Sequence, residues 1–113
     1  MRALAAVLGL AVVVAAPGTV VARKSATGGS AVALAHAVVK QPTGLWVRFS
    51  GNVLGGNAIV SCDRGLTTAS SSSFYEKAGV FRLPIAPSHA DDCSVFGGVA
   101  GSGSVTVEIR ATR

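Results

Sequence analysis

The sequence predicts an all-β domain, a small antiparallel β-sandwich, on three observations. Two stretches, residues 45–62 and 92–112, alternate apolar and polar side chains with the two-residue period of half-buried strands. Each is interrupted by glycine where a hairpin would turn, at Gly55-Gly56 in the first and at Gly101-Ser102-Gly103 in the second. Each also carries one cysteine on its apolar face, Cys62 and Cys93. No amphipathic stretch is long enough to supply the helices that cover a parallel sheet.

At 113 residues the chain holds one domain at most, and its first 22 residues read as a helical signal peptide. Met1-Arg2 give a positive start, residues 3–16 an uncharged apolar run, and Pro17-Gly18 a break before Val20 and Ala22 at the −3 and −1 positions. A retained anchor would need about 20 uninterrupted apolar residues, and Pro17 shortens the run. Cleavage after Ala16 would leave Pro17 just past the cut, so Ala22 is the expected site. The product is then secreted and keeps no stable membrane anchor.

Removing Arg2 with that segment leaves nine Lys/Arg against five Asp/Glu, a net charge of +4. The cations are scattered, with no run longer than two, which excludes the concentrated stripe of a nucleic-acid binder. Weak attraction to anionic cell-wall polymers fits this distribution better. In an oxidising compartment an even cysteine count favours a bridge, and Cys62 with Cys93 is the one pair available.

Residues 23–30 (RKSATGGS) are small and polar and read as a flexible leader ahead of a domain at 31–113. Residues 31–40 carry helix-favouring alanines, yet Val32, Leu34, His36 and Val38 alternate, and the turn at 41–44 follows at once, so a strand is expected. A Gly55-Gly56 hairpin would put Leu45, Val47, Phe49 and Val53 with Ala58, Val60 and Cys62 on the core face. Trp46, Arg48 and Ser50 would then share the outer face with Ile59, Ser61 and Asp63. The Ser/Thr-rich residues 68–76 suit an edge strand, and residues 80–84 a short strand stopped by Pro84. The second hairpin, 92–100 with 104–112, would turn with Gly103 in the left-handed conformation and would also aim Cys93 inward. Seven short strands in two sheets joined by an inter-sheet disulfide is the resulting expectation.

The apolar strand, glycine turn and VSC of residues 45–62, followed by DDCSV and GSGSVTVEI near the end, resemble the small secreted, single-disulfide, immunoglobulin-like domains common in actinobacteria. The resemblance covers residues 45–110. It implies an immunoglobulin-like sandwich and export, and it brings no catalytic or binding residue. Trp46 precedes the first cysteine here, whereas in antibody domains the tryptophan lies between the two.

Residues 88–92 (SHADD) gather a serine, an imidazole and two carboxylates, but neighbours in one loop rarely converge as a nucleophile and its base. No nucleophile elbow, zinc-protease helix or phosphate loop occurs, so no catalytic residue is assigned and the protein is not read as an enzyme. His89 and Asp91, with His36 at a distance, fall short of the four ligands of a closed metal site, so neither metal nor cofactor is expected. Trp46, Arg48 and Ile59 form the candidate binding face, an aromatic beside a cation. Gly97 and Gly98 mark a bulge or a place where a ligand could come close to backbone.

The function expected is a secreted, non-enzymatic interaction module, monomeric, with a cell-wall component or a protein as its extracellular partner. The alternative is a small-molecule carrier that holds an apolar ligand in a sandwich cleft.

Overall fold

Apolar residues recur at every second position on both sides of each glycine turn, in one phase through residues 93–111 and with a change of phase between Val53 and Ala58 in the first stretch, and the chain stays extended through both. In the computed structural model, which describes residues 16–87 and 91–113, five antiparallel strands form: β1 (Thr19–Lys40), β2 (Gly44–Arg64), β3 (Thr67–Tyr75), β4 (Gly79–Arg82) and β5 (Asp92–Thr112). The order across the sheet is β1-β5-β2-β3, and β4 pairs with the part of β2 that β3 leaves open. The all-β class, the antiparallel pairing and the Cys62–Cys93 bridge are as expected. The route of the chain differs. Neither hairpin exists, because β2 runs through Gly55-Gly56 and β5 through Gly101-Ser102-Gly103. The two pair with each other along nearly their whole length, from Gly44 opposite Thr112 to Asp63 opposite Asp92.

What the glycines provide instead is a crease. Gly28, Gly51 and Gly103 have φ values of 137°, 96° and 81°, in the region that disfavours a side chain. Gly28 lies opposite Gly103, and the register slips at Gly28/Ala31 in β1 and around Val53 in β2, so the bends line up across three strands. Beyond the crease the sheet lies back on itself as two layers. A side chain at Gly97 would press on Val47, Val107 and Ile109 of the facing layer, and one at Gly56 would strike the Phe49 ring. Leu45, Val47, Phe49, Val105, Val107 and Ile109 of one layer pack against Ala33, Ala58, Val60, Val95 and Val99 of the other, all essentially buried. Phe49 also meets Tyr75 and Phe81, where β3 hands over to β4.

Because β2 and β5 pair without interruption, Cys62 and Cys93 sit directly opposite each other in neighbouring strands, with Cα atoms 4.1 Å apart. The bridge therefore staples one layer and does not join two facing sheets, which corrects the immunoglobulin-like placement.

Both expected boundaries, after residues 22 and 30, fall inside β1. Residues 23–30, expected as a flexible leader, lie within β1, and residues 23–28 pair with β5. Residues 19–22, expected at the end of the signal peptide, open β1, with Thr19, Val20 and Ala22 opposite Ala111, Arg110 and Ile109. Arg110 fixes this start by donating to the carbonyls of Ala16, Pro17 and Gly18. The remainder of the expected helical signal peptide, residues 1–15, lies outside the described residues. Among those that are described, no helix is long and apolar enough to cross a membrane.

Backbone hydrogen bonds tie Leu83 and Asp91 to the ends of β2 and β1. Leu83 donates its N–H to the Leu45 carbonyl, and the Asp91 carbonyl accepts from Gln41 N–H. Asp91, read from sequence as part of a surface loop, is 2% exposed and pairs with Arg64 at 3.4 Å. Ser88, His89 and Ala90 lie outside the described residues.

Candidate functional site

Folding the sheet over gives the molecule two outer faces of different chemistry. On the layer formed by residues 31–40, 92–100, 56–64 and 67–75, side chains line up in rows across β1, β5, β2 and β3. One row reads Leu34, Gly98, Asn57, Phe74, and the next His36, Phe96, Ile59, Ser72. Val38 continues the apolar edge on one side and Val32 on the other. Val32, Leu34, Val38, Phe74 and Phe96 are each more than half exposed, and Ile59 is 43% exposed. His36 stacks on Phe96 with ring centroids 4.1 Å apart and meets the Ser94 hydroxyl at 3.1 Å.

The row through Gly98 is hollow at its centre, since glycine puts no side chain between Leu34 and Phe74. A trough of about 420 Å³ results, walled by Val32, Leu34, Leu54 and Phe74, with Asn57 and Glu76 as its polar groups. A Cβ at Gly98 would push aside the Asn57 side-chain end and crowd Leu34. The bulge expected at Gly97 and Gly98 is not formed, since both pair in regular register with β1 and β2.

Arginine, not leucine, dominates the other outer face. Here the rows are Val20, Arg110, Trp46, Arg82 and Arg23, Glu108, Arg48, Val80. Glu108 is nearly buried among three guanidinium groups, Arg110 at 2.8 Å, Arg23 at 3.3 Å and Arg48 at 3.8 Å. Arg82 lies over the half-buried Trp46 indole, 5.2 Å from the ring centroid. Trp46 and Arg48 are therefore together, as expected. Ile59 is not with them, because the crease turns its half of β2 onto the opposite face. Arg48 pairs with Glu108, and Asp63 accepts a hydrogen bond from Thr68.

No family model matches this chain, and no curated protein does. Among solved structures, that of TmCBM61 in complex with beta-1,4-galactotriose is similar over 75% of this chain at 13% identity, with a TM-score of 0.36. The match spans 63% of that chain, under two thirds of its length.

The large residues of the apolar face escaped the sequence reading because β1 inverts the usual arrangement. Its inward positions are Ala31, Ala33, Ala35 and Ala37, and its outward ones Val32, Leu34 and Val38. Alanine alternating with larger apolar residues was the available signal: the small set faces the other layer, and the large set faces out. Among the described residues no group of three or more His, Cys, Asp or Glu could hold a metal ion.

Proposed function

We propose that the protein is a secreted, non-enzymatic binding module that engages an extracellular protein or cell-wall partner through the apolar outer face around Leu34, Phe74 and Phe96. The contiguous exposed apolar surface carries this reading. Single exposed apolar residues are ordinary, but six large ones sharing a face across four strands are characteristic of an interaction surface. The trough adds a recess for one protruding apolar group, with the Asn57 amide at hand for a polar neighbour. The Cys62–Cys93 bridge and the resemblance to exported single-disulfide domains support an extracellular setting.

The test is affinity capture from culture fluid and cell-wall fractions, with the wild-type domain and a Leu34→Asn/Phe74→Ser variant as baits. Both substitutions are at exposed positions, so the melting temperature should hold while the partner is lost. Retention of the same partner by the variant would remove this face from the function.

A second reading, a carrier for a small apolar molecule, is favoured by the trough alone, whose volume lies in the range of small-ligand sites. It would differ from the sequence expectation in placing the ligand on an outer face, since the space between the layers is filled by buried side chains. A fluorescent apolar probe displaced by culture extract, and not bound by the variant, would select it.

A further inference from the structure

We propose that the arginine-rich outer face is a second binding site, one that takes the successive oxyanion groups of an acidic polymer. The first support is an excess of charge. Neutralising the buried Glu108 carboxylate needs one cation, and Arg110, only 14% exposed and at 2.8 Å, already supplies it. Arg23 and Arg48 stand around the same carboxylate with 64% and 43% of their side chains exposed, and Arg82 adds a further positive group beside them. Three guanidinium groups thus share one carboxylate, and Arg82, over Trp46, makes a fourth cation on the same face. Asp63 and Asp92 belong to the other layer and cannot balance them.

The second support is preorganisation. Glu108, between Arg23 and Arg48 in one cross-strand row, pairs with both, and the Trp46 ring lies under Arg82. Guanidinium groups fixed in this way lose little freedom when their paired N–H donors meet a carboxylate or phosphate. Their spacing decides between a single small anion and a chain. Arg23 in β1 and Arg82 in β4 are separated by the β5 and β2 strands, three strand spacings or roughly 14 Å. One phosphate cannot touch both, whereas a chain with an oxyanion on each of several units can.

Binding of a linear polyuronate, an inorganic polyphosphate, a neutral glucan and free phosphate to the full domain, measured by calorimetry at low and physiological salt, tests this. The neutral glucan should not bind, at least one polyanion should, and the tighter of the two identifies carboxylate or phosphate as the natural group. Arg48→Gln and Arg82→Gln should each weaken it about 5- to 20-fold, as expected for one charge-assisted contact. Lys40→Gln, which removes the same charge from the other layer, should change it less than about twofold, and circular dichroism would confirm that all three variants are folded. Equal weakening by Lys40→Gln, free phosphate competing as well as the polymer at equal phosphate concentration, or no polyanion binding even at low salt would each overturn the proposal. The Leu34→Asn/Phe74→Ser variant should bind the polymer as the wild type does, which keeps this test separate from that of the apolar face.

Discussion

Phe49 and Ile59 show how one residue's direction is decided in this fold. Phe49 is 1% exposed and touches Tyr75 and Phe81, while Ile59 lies on the outer face beside Phe96. Phe49→Ala should cost about 3–5 kcal/mol, the range for deleting a buried aromatic. Ile59→Ser should cost well below that, and urea denaturation would rank the two. The opposite ranking would mean that β2 is out of register by one residue. Asp91 makes a second test, because no local pattern marks its carboxylate as buried beside Arg64. Asp91→Ala should destabilise by roughly 1–3 kcal/mol, the cost of leaving the partners of a buried group unmet. A variant as stable as the wild type would return Asp91 to the surface.

At the scale of the elements, the strand pattern was legible and its connectivity was not. Alternation placed Phe49, Val60, Cys62 and Cys93 on the core face correctly, since the two-residue period holds whether a strand pairs within a hairpin or with a distant strand. Glycine at 55–56 and at 101–103 is equally suited to a hairpin turn and to a bend in a continuous strand, and local sequence does not separate the two. Length of pairing separates them: β2 and β5 match over about twenty residues each, more than either hairpin could offer. Of the candidate face, Trp46 with Arg48 was legible as an aromatic next to a cation. Leu34 and Phe74 were not, because they meet only through the order β1-β5-β2-β3. Two element-scale outcomes follow. Replacing both cysteines by alanine should cost about 3.5 kcal/mol for a closed loop of this length, read from the denaturation midpoint. A chain starting at Arg23 loses the Thr19–Ala22 pairing and the three carbonyls that Arg110 holds. It should melt several degrees below one starting at Ala16, since about 1 kcal/mol shifts a domain of this size by 4–8 °C. Equal melting temperatures would show that residues 16–22 add nothing to the fold.

For the whole molecule the decisive feature is the crease, because it makes one sheet into two layers and sends the apolar and cationic faces to opposite sides. Gly101 and Gly103 distinguish this arrangement from a hairpin. In a hairpin, Gly101 would open an exposed loop and tolerate a methyl group, whereas Gly103, in the left-handed conformation, would be the sensitive position. The creased sheet reverses that order. Gly103 has a φ of 81° but open space around it, so alanine there meets only backbone strain, about 1 kcal/mol. Gly101 is buried, and a Cβ on it would run into the Asn52 carbonyl of the neighbouring strand, with the Val105 side chain also in the way. Neither backbone can yield without opening the bend, where the Asn52 side-chain amide also donates to the Ser102 hydroxyl. Gly101→Ala should therefore destabilise more than Gly103→Ala, by upward of about 1–3 kcal/mol, the usual cost of overpacking. Chemical denaturation of the two variants measures the difference, and greater loss at Gly103 would restore the hairpin and separate β5 into two strands.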